Sequence, residues 1–250
     1  MEPIHTIDQV IIYLDAIILK SQDDNNPLGY FAALYRKVTI KVKEGIQNNI
    51  FDNGPRMERL DVIFASRYLE AYFSYEKNKT ITSSWQEAFN LSKNYWPIVL
   101  QHLLIGMNAH INLDLGIAAA EVSKGENIEN LKDDFNKINT ILSDLVMEVE
   151  NDLSRIWPTL KKVLKWTRGV DNFLVDFSMA IARDGAWKFA VQLANTPEER
   201  LKAAIAERDI KVTQKGKIIT NPGKIVGIIL GVIRLGERGT VSKKIKDLKN

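Results

Sequence analysis

The sequence contains no cysteine and only three histidines, His5, His102 and His110, in 250 residues. Without cysteine there are no disulfides, no thiolate-bound zinc, no iron–sulfur cluster and no thiol nucleophile. Any metal would have to be held by imidazole and oxygen ligands. Uninterrupted apolar runs are also short. None reaches about 18 residues, so a transmembrane segment is not expected. Asp8 and Asp15 interrupt the first apolar stretch and no basic run precedes it, which is unlike a signal peptide. Cytoplasmic residence is the expectation. Period-two alternation is nearly absent as well. Lys217-Ile218-Ile219-Thr220 is the only stretch that reads as a strand, and it is too short to build a sheet.

The composition is otherwise that of an ordinary globular chain, with 45% hydrophobic and 26% charged residues. Net charge is +3, but unevenly spread. Residues 200–250 carry 13 basic and 4 acidic side chains, and the remainder carries 21 basic and 27 acidic. The basic end suits a solvated face docked on an acidic body, or contact with an anionic partner. The patch lacks interleaved aromatics, so nucleic acid is not an expected partner.

Seven prolines divide the chain. Most precede a segment with helical periodicity, as expected from proline's fit to the first helical turn. Asn26-Pro27 opens a helix to about residue 46, and Gly54-Pro55 precedes one ending near Glu76. Thr196-Pro197-Glu198-Glu199 combines a cap, a proline and first-turn acids. Trp157-Pro158 interrupts a long amphipathic run that starts near Asn127. The pattern predicts one all-α, compact multi-helix domain of about eight to ten helices. A helical core spans 1–222, and a basic C-terminal helix and tail, 223–250, packs on the same domain.

One window, Gln101 to Gly116 (QHLLIGMNAHINLDLG), stands out within an apolar helix running from about Trp96 to Val122. A helix that is apolar all round is normally buried, so its polar side chains need partners. In a straight helix His110 and Asp114 lie one above the other, and Asn108 and Asn112 form a second i, i+4 pair on the opposite side. His102 is roughly 12 Å from His110 along the axis. The two cannot chelate one ion directly. Three readings of His110 and Asp114 stand: a metal site completed by oxygen ligands, an acid–base pair in which Asp114 orients His110, and a structural network. Gly106 and Gly116 would let a neighbouring helix or a ligand approach closely.

On a second helix Asp61 shares the face of Phe64, Ala65, Tyr68 and Tyr72. A carboxylate buried there needs a cation, a metal or hydrogen-bond donors, with Arg59 or Arg67 as candidate partners. Asp184 lies next to the helical face of Asp176, Arg183 and Trp187. It reads equally as a ligand or base and as a surface charge.

Gln101 to Ala120 resembles the hallmark of the bacterial domain-of-unknown-function 5995 family. Met57 to Val62 with Arg67-Tyr68, Ser84-Trp85, and Ala182 to Trp187 resemble its other blocks. The likeness runs from about residue 30 to 235. The resemblance implies a mostly helical domain and supplies no catalytic roles. Asp61, His102, Asn108, His110, Asn112, Asp114 and Trp187 match motif positions.

Several chemistries lack their signatures. There is no G-x-x-x-x-G-K-[ST] loop, no G-x-G-x-x-G, no G-x-S-x-G and no H-E-x-x-H. The Glu-x-x-His pairs of di-iron bundles are missing too, since Val99 and Met107 precede the two histidines. The leading expectation is a small-molecule enzyme, hydrolase-like if metal-dependent. His110, Asp61, Asn108 and Asn112 would form the catalytic group. His110, Asp114, His102 and Asp61 are the candidate ligands for zinc, manganese or iron. Asp184, Trp187 and Arg67 are accessory. The alternative is a non-catalytic binding protein whose polar cluster is structural and whose segment 223–250 contacts a membrane surface or a protein partner. Oligomeric state is not legible.

Overall fold

The computed structural model describes residues 2–138, 141, 156 and 179–249. The expected interruption at Pro158, the end of the amphipathic run after residue 141 and the placement of Asp176 lie outside these residues. Within them all regular structure is helical, in ten α-helices and shorter turns. They are α1 (Ile7–Asp23), α2 (Leu28–Gln47), α3 (Gly54–Glu76), α4 (Ser83–Asn90), α5 (Val99–Ala109), α6 (Leu115–Val122), α7 (Met179–Ala194), α8 (Glu198–Thr220), α9 (Lys224–Gly236) and α10 (Val241–Lys249). A π-helical segment, His110–Asp114, joins α5 to α6.

Local sequence starts most helices where expected. Thr6 and Gln9 form a reciprocal capping box at α1. Asn53 caps α3 by accepting from the Arg56 N–H, with Pro55 in the first turn. Thr196 departs from expectation. Its hydroxyl donates to the Gln192 carbonyl at 2.7 Å and so closes α7, while Pro197 is the cap of α8. Lys217 to Thr220 is helical and ends α8, not a strand. Asn221-Pro222-Gly223 then bends the chain by 62° into α9, with Gly223 at φ +82°. That conformation favours glycine.

Two carboxylates from distant segments cap helix starts. Asp209 on α8 accepts from the Ser83 and Ser84 N–H groups at the start of α4, at 2.7 and 2.9 Å. Glu237 accepts from the Val99 N–H at the start of α5, and from Arg234 and Lys244. Negative charge at a helix N-terminus is favourable.

The run α5–π–α6 is the axis of the fold. It packs on α2, α3, α4, α7 and α8. At 24 residues, Val99–Val122 is long and apolar enough to cross a membrane by length and composition, and 83% of that window is buried inside the protein. The largest core joins α1, α2, the second half of α3, α4 and α5, and takes in Leu230, Ile233, Ile245 and Leu248 from the C-terminal helices. A second core lies between α6, α7, the first half of α3 and the side chains of Ile128, Leu131, Phe135, Ile138 and Ile141.

Candidate functional site

The central motif falls on the π-helical segment. Its wider turn is closed by the Leu115 N–H on the His110 carbonyl, five residues back. Such turns are rare and frequently coincide with functional sites. Two sides of the segment have different surroundings.

On one side the asparagines brace α8. The Asn108 amide donates to the Val212 carbonyl at 2.9 Å, and Asn112 donates to the Asn108 Oδ1 at 3.1 Å. Arg208 Nε donates to the Asn112 main-chain oxygen at 2.8 Å. Gly216 brings α8 close. A Cβ there would sit 3.0 Å from Asn108 Nδ2. Asn108 and Asn112, both expected in the catalytic group, thus have their amides engaged, Asn108 with α8 and Asn112 with Asn108.

On the other side stands His110, buried in an aromatic box. Phe64 stacks on its imidazole, with ring centroids 3.6 Å apart and planes 7° apart. Tyr35, Phe31, Trp85 and Tyr68 surround it at 4.5–6.1 Å. Gly106 makes room for this box, because a Cβ there would meet the Phe31 ring at 2.5 Å. Gly116 does the same for α7, where a Cβ would meet the Ala186 carbonyl oxygen at 2.9 Å. Both glycines serve helix contacts.

Asp114 is buried beneath the box. Its Oδ1 accepts from Arg67 Nε at 2.8 Å, and its Oδ2 accepts from Trp85 Nε1 at 2.8 Å and from His110 Nδ1 at 3.2 Å. Burial alone would raise the carboxyl pKa. The hydrogen bonds from His110 and Trp85 and the charge of Arg67 outweigh it and hold the pKa below the ordinary aspartate value. An ionised carboxylate only accepts, so Nδ1 of His110 carries a proton. Burial depresses the imidazole pKa against the opposing pull of Asp114. His110 is therefore neutral at pH 7, and Nε2 presents a lone pair. Among the described residues that buried Nε2 has no hydrogen-bond partner.

Two further buried oxygens on α3 share this condition, the Tyr68 hydroxyl and Asp61 Oδ2, while the Tyr35 hydroxyl has the Thr39 side chain within hydrogen-bond reach. Asp61 is one turn before Phe64 on α3. It makes no ion pair among the described residues, so the expected bridge to Arg59 or Arg67 is not formed. Arg67 pairs with Asp114 instead, and Arg59 is exposed. Burial, with the nearby Glu58 charge, pushes the Asp61 carboxyl up to about 8. Burial also raises Tyr35 far above its ordinary value, reinforced by the charges of Asp61 and then Asp114. Each orphaned buried polar group costs about 1–3 kcal/mol. The Tyr35 and Tyr68 rings lie 4.5 and 6.1 Å from the His110 ring, and the Asp61 charge reaches Tyr35.

Other expected members lie elsewhere. His102 faces the C-terminal helices. Its ring meets Tyr30 edge-on at 5.5 Å. Burial and the charges of Arg234 and Lys244 drive its pKa to about 3. Trp187 is in the second core, against Phe135 at 5.0 Å and under Lys132. Asp184 is exposed. Among the described residues no three His, Asp or Glu side chains form a metal-ligating group. His110 Nε2 is the one ligand atom of the pair left without a partner.

Sequence reasoning placed Trp85 in a motif block without a role, and missed Tyr35 and Phe31. Their i, i+4 spacing on α2, matching Phe64 and Tyr68 on α3, was the available signal.

The model of a family of unknown function, DUF5995, matches residues 7–222. The chain belongs to this family. The match includes the whole His110 site and stops just before α9. No curated protein and no solved structure matches the chain.

Proposed function

We propose that this DUF5995 member is an acid–base enzyme acting on a small molecule, with hydrolysis as its simplest reaction. One observation carries the reading: His110 has its Nδ1–H held by an ionised Asp114 and its Nε2 buried without a partner. That is how a general base is oriented. Nε2 would take a proton from water or from the substrate. Asp114 would then stabilise the imidazolium, itself clamped by Arg67 and Trp85. Asp61 would be the acid. A carboxyl raised to about 8 keeps its proton at neutral pH and has it to give to a leaving group. The hydroxyls of Tyr35 and Tyr68 would hydrogen-bond the substrate. If zinc, manganese or iron is bound, Nε2 is the atom to hold it, since Nδ1 and both Asp114 oxygens already have partners.

His110→Asn tests the reading, because an asparagine amide mimics Nδ1 and keeps the Asp114 bond while deleting Nε2. The probes are p-nitrophenyl acetate, p-nitrophenyl phosphate and a p-nitroanilide. The expected result is turnover by the native chain and a loss of about 10²–10⁴-fold in the variant, with the melting temperature largely kept. Absence of turnover on all three probes, or full turnover by the variant, would sink the hydrolytic reading. Elemental analysis finding one metal per chain that His110→Asn releases would replace unassisted acid–base chemistry by metal-activated water.

A further inference from the structure

Helix α9 buries little of its apolar content. Leu230 and Ile233 enter the core, whereas Ile225, Ile228, Val232 and Leu235 are 62–77% exposed. Their spacing of three, four and three residues puts them within about 80° of one another on a stripe about 15 Å long. Two large aromatics flank its end. Tyr95 and Trp96 are 71% and 60% exposed. Arg234 on α9 ties Tyr95 to the helix, donating to its carbonyl at 2.8 Å and covering its ring at 4.8 Å, and Trp96 meets the Tyr95 ring at 5.7 Å.

The segment of chain that carries this stripe is basic. Between Asp209 and Glu237 the chain has Lys211, Lys215, Lys217, Lys224 and Arg234 and no acid. Glu237 is buried and held by Arg234 and Lys244. Glu87, near the end of α8, accepts from the Thr220 hydroxyl. Single exposed aliphatics are ordinary, but a continuous row of them is not. An aliphatic stripe with Trp and Tyr at its border and cations around it has the makeup of a helix lying in a membrane interface. A second copy of the chain fits less well, because a twofold interface would press the same cations against each other.

We infer that α9, with Tyr95 and Trp96, is a docking surface for an anionic lipid bilayer. The helix lies in the headgroup plane, its four aliphatic side chains enter the acyl boundary, and Lys217 and Lys224, both exposed, meet the lipid phosphates. This is independent of the His110 site and lies outside the residues that the family model matches, except for Tyr95, Trp96 and Lys217.

The test uses the full chain with vesicles of phosphatidylcholine alone and of phosphatidylcholine with equimolar phosphatidylglycerol. The expected result is co-sedimentation with the anionic vesicles, at least about tenfold stronger than with the neutral ones and weakened by salt. Ile228→Ser/Val232→Ser, both exposed positions, should cut it at least about tenfold while leaving the melting temperature in place. Tryptophan emission should shift to the blue on binding, and Trp96→Phe should abolish that shift. No pelleting, equal pelleting with neutral vesicles, or unchanged binding by the double variant overturns the inference. A dimer in analytical ultracentrifugation that the double variant dissolves overturns it too, with a second copy as the occupant.

Discussion

Trp85 Nε1 and His110 Nδ1 converge on one oxygen, Asp114 Oδ2, at 2.8 and 3.2 Å. Trp85 sits on α4 and His110 in the π segment, so the carboxylate joins two elements while fixing which ring nitrogen carries the proton. Arg67, from α3, holds the other oxygen. Three donors on one buried carboxylate make it both a structural junction and an orienting group.

Asp114→Asn should therefore be costly. An amide has one acceptor oxygen and must turn its NH₂ toward Arg67 or toward Trp85 and His110. A loss of about 2–4 kcal/mol is expected, read as a lower urea midpoint. The carboxyl pKa is lower when folded than the ordinary 3.8. Its contribution is thus fully present above pH 3.8 and is lost as pH falls through the folded value. The stability difference between native chain and variant should be flat from about pH 7 upward and change in acid, first as His110, which loses its carboxylate partner in the variant, takes up a proton, and then as Asp114 does.

Asp61→Asn should act in the opposite sense. Folding raises this carboxyl from 3.8 to about 8, so the folded state binds the extra proton. Its contribution is greatest below pH 3.8 and fades as pH rises toward 8, by up to about 1.4 kcal/mol per pH unit. The variant should gain on the native chain steadily between pH 4 and 8. Urea titrations at several pH values measure the difference, which removes the titration of His102 and His110 common to both. A variant that tracks the native chain at every pH would show that Asp61 is ionised in the fold.

The pH profile of turnover should be a bell with unusual limbs. The acid limb belongs to His110 and falls below the ordinary histidine value of 6.5, because burial depresses it. The alkaline limb, near 8, belongs to Asp61. Asp61→Asn should remove the alkaline limb along with most of the rate, while His110→Asn removes the acid limb. An alkaline limb that persists in Asp61→Asn would take the acid role away from it.

Gly106→Ala should loosen the aromatic box. The added methyl meets the Phe31 ring at 2.5 Å, and that ring is locked against Tyr35, Tyr68, Trp85 and His110. Overpacking of this kind costs about 1–3 kcal/mol. Gly227→Ala is the control. A Cβ there meets nothing, and the change should stabilise slightly through helix propensity. Thermal melts of the two variants, moving in opposite directions, check the pair.

Much of the fold was legible because helix signals are local. Period and proline punctuation placed α2, α3 and the start of α8 within a few residues. The His110–Asp114 and Asn108–Asn112 pairs followed from turn-to-turn spacing. What spacing could not supply was the extra residue of the π turn, which depends on α8 bonding to Asn108 and Asn112 and on α3 and α4 bonding to Asp114. Nor could it place His102, which shares a helix with His110 but faces α9 and α10. Trp187 and Asp184 show a related limit: angular position on a helix gives a face, not what covers it.

Composition and period alone determined that this is an all-helical chain without thiolate chemistry, and that any chemistry by histidine in its core is confined to one helix. Those properties depend on which residue types are present and how often apolar ones recur. Only the tertiary structure decided that His110 Nε2 is buried without a partner among the described residues, that burial lifts the Asp61 carboxyl while His110, Arg67 and Trp85 hold that of Asp114 down, and that the asparagines brace a neighbour. Protonation and hydrogen bonding in a buried site depend on desolvation and on partners from α2, α3, α4 and α8, and those contacts exist only once the helices have packed.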